Sequence, residues 1–108
     1  RWLLAELPGA TPDGPPPVRP ELVFGADGRL SGSGGCNRLQ GGYQLVGDGQ
    51  LKLGRLVGTM RACVGGMAQE QQLLQALGQV ARYEMNGREL RLLDTERKLL
   101  ARFESAEP

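Results

Sequence analysis

The 108-residue chain contains no histidine and only two cysteines, Cys36 and Cys63. Without histidine, a serine or cysteine nucleophile lacks its commonest general base. Two cysteines alone do not complete the usual tetrahedral zinc site. Their spacing is not C-x-x-C, which excludes a thioredoxin-type redox motif. A disulfide or a pair of buried thiols remains, and in a small glycine-rich domain the compartment rule favours the disulfide. An excess of charge of one sign is also missing. Thirteen basic residues stand against 12 acidic ones, a net charge of +1, so there is no electrostatic footprint for nucleic acid. The basic stretches 88–91 and 97–102 are interleaved with Glu or Leu and read as solvated strand faces. No apolar run approaches the roughly 18 residues of a membrane span.

What is abundant is glycine, 17 residues without a three-residue period, mostly at reversals of the chain, which points to β structure. The length suits one domain, 1–108, with a core over about 2–103. Six of the seven prolines fall in 8–20. A residue without a backbone N–H cannot sit inside a sheet, so this stretch reads as a stiff surface loop. The chain begins with Arg1 rather than Met, as expected of a mature or trimmed form, from which any signal peptide or lipid-anchor cysteine would have been removed.

Period-two alternation of apolar residues predicts strands over 1–7, 21–24, 29–32, 43–46, 50–53, 55–60, 82–85, 88–93 and 98–103. The pairs Asp27-Gly28, Asp48-Gly49 and Asn86-Gly87 sit between strands, and each suits both centres of a type I′ turn. Between Met67 and Ala81 the period changes. Leu73, Leu74, Leu77 and Val80 recur at spacings of three and four, which predicts an amphipathic helix packing through these residues. Strands, one helix, then strands again give an α+β domain that is mainly antiparallel. The tail 104–108 reads as frayed.

Catalytic machinery is not visible. Asp27, Asp48 and Asp94 lie in turns, where Asp is expected on conformational grounds. Glu70 lies in the first helical turn, where a carboxylate complements the helix dipole. The run from Ser31 to Gly42 is glycine-rich, yet it fits neither G-x-G-x-x-G nor a P-loop ending, and no helix pattern follows it. It reads instead as a bent strand where glycine admits a close approach.

Three blocks carry a family resemblance. Phe24-x-x-x-Gly28-Arg29-Leu30-Ser31-Gly32-x-x-Gly35-Cys36-Asn37-Arg38-Leu39-x-Gly41-x-Tyr43 resembles the signature of the META-domain, or HslJ-like, family. Thr59-Met60-Arg61-Ala62-Cys63 followed by Met67-x-x-Glu70 is similar to its second block, and Tyr83-x-x-x-Gly87-x-x-Leu90-x-Leu92 to its third. The resemblance implies a small conical, barrel-like sheet of about seven to eight strands with one packed helix, similar to secretin-pilot lipoproteins. It implies envelope proteins, often lipoproteins, associated with heat or antibiotic stress. The protozoan members add a loose link to virulence and secretion. It assigns no catalytic residue.

The expectation is therefore a monomeric, non-enzymatic binding or assembly module of the bacterial envelope, periplasmic or attached to the outer membrane. No cofactor, metal or nucleic acid is expected, and the partner is an unidentified envelope protein or ligand. The alternative is a thiol-based redox protein using Cys36 and Cys63. The expected binding surface lies where the bend 34–38 meets 59–61 and collects Asn37, Arg38, Thr59 and Arg61, with the arginine forks suited to carboxylate or phosphate. The rival account is structural: Asn37 caps the bend through its own backbone, and Arg38 or Arg61 pairs with Glu70 or Glu84. Both cysteines lie at breaks in the strand pattern, within the blocks carrying the resemblance. A bond between them should add roughly 3–4 kcal/mol by closing a loop of this length. Thiol titration of the aerobically purified, denatured protein should accordingly find no free thiol; two would overturn the pairing.

Overall fold

The computed structural model of the chain describes residues 1–10, 19–63 and 65–106. Nine strands and one helix follow in the order β1 (Trp2–Glu6), β2 (Glu21–Phe24), β3 (Arg29–Ser33), β4 (Arg38–Leu45), β5 (Leu51–Leu53), β6 (Val57–Gly58), α1 (Met67–Leu77), β7 (Arg82–Asn86), β8 (Glu89–Leu93) and β9 (Leu99–Ser105). All pairings are antiparallel. Eight strands make the wall in the order β5-β4-β3-β2-β1-β9-β8-β7, and β6 pairs with β4 off this path. The two ends of the path meet. Leu51 N donates to Ala81 O at 3.0 Å and Tyr83 N to Gly49 O at 2.9 Å, around a bridge between Gln50 and Arg82. The wall is thus a nearly closed barrel, which leaves few unpaired sheet edges.

The alternation that predicts the strands also fills the barrel. Leu22, Leu30, Leu39, Leu51, Leu90, Leu92 and Phe103 point inward and are buried, while their neighbours carry the polar residues. A register shift between Leu92 and Leu93 lets both leucines be buried in succession. On the outer face Arg102 meets three carboxylates, those of Glu6, Glu89 and Glu104. The hydrogen bond to Glu6, above all, holds its guanidinium above its ordinary pKa. The basic stretch 97–102 is in this respect a solvated strand face.

Helix α1 stops one end of the barrel. Leu73 and Leu77 enter the core cluster with Leu4, Leu22, Leu92, Ala101 and Phe103. The helix is shorter than its periodicity predicts: it ends at Leu77, before Gly78, so Val80 packs on the core from the following turn. Leu74 and Val80 are half-buried. The stretch 55–60 keeps strand pairing only at Val57 and Gly58. Strand β4 begins at Arg38, five residues earlier than the alternation alone indicates.

The turns differ from expectation as well. Among the described residues Arg97 is the one non-glycine with positive φ, so none of the Asp-Gly or Asn-Gly pairs forms a type I′ turn. Asn86 pairs with Glu89, leaving Gly87 and Arg88 as a two-residue loop. Gly87, at φ +65°, supplies the positive φ at the first central position, as a type II′ turn requires. The tail is tied down rather than frayed as far as Ala106, through Ser105 N to Arg88 O and Ala106 N to Arg1 O. Residues 11–18 of the proline-rich loop lie outside the described residues. Replacing Leu77 by Ala should cost about 2–5 kcal/mol, read as a fall in Tm of about 10 °C or more; an unchanged Tm would show that α1 does not carry the core through this face.

Candidate functional site

The glycine-rich bend does receive an anionic group, and it comes from the protein itself. Glu70, on the same helix face as Leu73 and Leu77, is 3% exposed. Its Oε1 accepts hydrogen bonds from Cys36 N at 3.0 Å and Asn37 N at 2.6 Å, and its Oε2 accepts from Asn37 Nδ2 at 2.7 Å. Gly34 makes this approach possible: a Cβ there would stand 2.6 Å from Glu70 Cγ. Gly35, at φ +113°, turns the next two N–H groups toward the carboxyl, a conformation that glycine adopts without a Cβ penalty. At the other side Gly66, at φ +83°, occupies the helix N-cap with no side-chain cap.

Asn37 relays this anchor to the segment before the helix. Its Oδ1 accepts from Thr59 Oγ1 at 2.9 Å and Arg61 N at 2.6 Å, and its Nδ2 also donates to Arg61 O at 3.1 Å. Thr59 Oγ1 in turn accepts from Arg38 N at 3.1 Å, and Thr59 N donates to Arg38 O. The Cys36–Cys63 disulfide, with Cα atoms 6.1 Å apart, closes the same junction covalently. Bend, segment 59–63 and helix start are therefore one cross-linked unit.

Of the four residues expected to form a surface, three do so. Arg38, Thr59 and Arg61 are exposed and line an open groove of about 750 Å³ on the outer face of β2–β4, together with Ser31, Ser33 and Glu21. Asn37 does not belong to that surface. It is 7% exposed and its amide is fully engaged, so it lies beneath the groove as scaffold. It does so through the neighbouring segment and helix, and its own carbonyl closes the bend as the rival account has it, accepting from Gly34 N at 3.0 Å. For the arginines that account fails. Among the described residues neither Arg38 nor Arg61 pairs with a carboxylate; Arg61 Nη2 donates a long hydrogen bond to Cys36 O, at 3.5 Å. Glu21 in the same groove is engaged by Arg1. The reading of Glu70 as a dipole complement misses its role. The signal that would find it is the helix period itself, because stepping back from Leu77 and Leu73 by four and three lands on a carboxylate.

The META domain family matches residues 1–107. No curated protein matches the chain. Among solved structures, a protein from Burkholderia xenovorans determined by NMR is 26% identical, with a TM-score of 0.70 over 99% of this chain and 81% of that one. A second NMR structure matches at 24% identity and a TM-score of 0.72, over 98% and 88% of the two chains. A DUF4847 family protein from Bacteroides vulgatus matches at 21% identity and a TM-score of 0.64, over 81% of this chain. The chain spans 59% of that protein's length. The last two likenesses are likenesses of fold.

Glu70→Gln should be poorly tolerated despite its shape. A glutamine NH2 facing Asn37 Nδ2 opposes two donors, and rotating the Asn37 amide would turn its NH2 onto the donors Thr59 and Arg61 N. The expected loss is roughly 2–4 kcal/mol, against about 0.5–1.5 kcal/mol for Thr59→Val. Chemical denaturation of the two variants checks the ranking, and equal losses would show that the carboxyl is not the anchor.

Proposed function

The chain belongs to the META domain family, and from that premise we propose that it is a non-catalytic binding module of the bacterial cell envelope, working through the groove at Arg38, Thr59 and Arg61. The observation that carries this reading is the pair of arginines. Both guanidinium groups are exposed on one groove without a carboxylate partner among the described residues, whereas Arg102 on β9 meets three. Their backbones are held from below by Asn37, Glu70 and the disulfide, so the ordering cost on binding is confined to the two side chains. Planar, preorganised forks favour a carboxylate or phosphate group on the partner. The disulfide supports an oxidising compartment, which fits the envelope. An association with heat or antibiotic stress belongs to the same proposal and comes from the family resemblance.

The thiol-based alternative has the disulfide in its favour. Against it, Cys36 is 6% exposed and Cys63 is half-buried, and thiol–disulfide exchange needs access to a sulfur, so any attack is restricted to Cys63. Titrating the protein at low salt with a hexaglutamate peptide and with inorganic phosphate tests the proposal. Wild type should bind at least one of them, and Arg38→Ala with Arg61→Ala should weaken that binding by about tenfold while Tm stays unchanged. Undiminished binding by the double variant, no binding by wild type, or unfolding of the variant would each assign these arginines to the scaffold.

A further inference from the structure

Alternation along a closed barrel points every second residue inward, and the core should then be filled from end to end. Here it is filled only toward α1. At the opposite end, Leu45 on β4 and Met85 on β7 occupy inward-facing positions. They pair with Leu51 and Leu90, which are 2% and 4% exposed, yet they are themselves 56% and 60% exposed. Between them lies a cavity of about 250 Å³. Its wall includes Trp2, Phe24, Tyr43 and Tyr83, four of the five aromatic residues in the chain. They come from four different strands.

We propose that this mouth is a binding site for a small, neutral aromatic molecule of about ten heavy atoms. The size follows from the volume: an apolar cavity of about 150 Å³ holds benzene, and this one is larger in proportion. Neutrality follows from the lining, in which no residue carries a charge. Aromatic character follows from the walls. Phe24 and Tyr43 are already fixed edge to face, with ring centroids 5.0 Å apart and planes at 88°, and the Tyr43 hydroxyl is tied down by donating to Gly25 O. Rings held this way offer a face and an edge to a third ring. The Trp2 indole N–H and the Tyr83 hydroxyl make no hydrogen bond among the described residues, so a polar substituent on the ligand would find a donor. This site is separate from the arginine groove and shares no residue with it.

The test is an NMR titration of the intact protein with indole and with 2-naphthol. Shifts are expected at the Trp2 indole N–H and around Leu45, Tyr83 and Met85, saturating below millimolar probe. Leu45→Asp with Met85→Asp changes two exposed rim residues and should leave Tm unchanged while weakening binding by about tenfold or more. Three results would overturn the proposal: no saturable shift in wild type, shifts confined to the α1 end, or equal binding by the rim variant. A mouth covered by a second copy of the chain would also overturn it. Sedimentation would show this as a dimer that the rim variant abolishes and neither probe displaces. If the rim variant unfolds, Tyr83→Leu replaces it, with the same tenfold criterion.

Discussion

One buried carboxyl group holds this domain together at the point where its sequence is least regular. Glu70 receives two backbone N–H groups and a side-chain amide from the bend 36–37. Removing water from such a group is costly unless every lone pair finds a donor. The glycines at 34 and 35 exist to let the bend come close enough and turn its N–H groups inward. Asn37 then extends the arrangement to Thr59 and Arg61, and the disulfide closes it. Helix position, bend shape and the course of 59–63 are consequently one decision rather than three.

That decision gives the barrel two unlike ends. At the anchored end α1 lies across the strands and drives Leu73 and Leu77 into the core. The groove with Arg38 and Arg61 sits on the outside of this stiff corner, where rigidity favours recognition over adaptation. At the far end nothing in the described residues plays the part of the helix, and the inward row runs out into aromatic side chains and two exposed apolar ones. A polar working surface therefore rests on the most constrained part of the molecule, and an apolar recess on the least filled.

Much of the wall is readable before any coordinates. Leu90 and Leu92 with charges opposite, or Leu51 and Leu53, announce their strands and their buried face through period two alone. The strand alternation errs where a backbone partner is missing from the local pattern. Residues 55–60 look strand-like, but β4 offers them only Leu39 and Gln40, because β5 already holds its upper half. The turns err for a related reason. Asp27-Gly28 and Asn86-Gly87 permit a type I′ turn without requiring it, and the register of the paired strands chose other geometries. Leu45 and Met85 share a face with buried residues, yet a face says nothing about how far along the barrel the filling reaches.

By itself the sequence determined the class of structure: one antiparallel domain with a single helix, a cysteine pair in two blocks of a family pattern, and no histidine-based chemistry. Those properties depend on residue type and local spacing, which are one-dimensional. Only the tertiary structure decided what Glu70, Asn37 and the arginines do. Glu70 is separated from its donor partners by 33 and 34 residues, so no local rule links them. Burial then sorted the four expected surface residues into one that is sealed beneath and three that face solvent. The difference is desolvation: an amide with all its hydrogen bonds satisfied can be enclosed, whereas a guanidinium without a counter-charge stays in water.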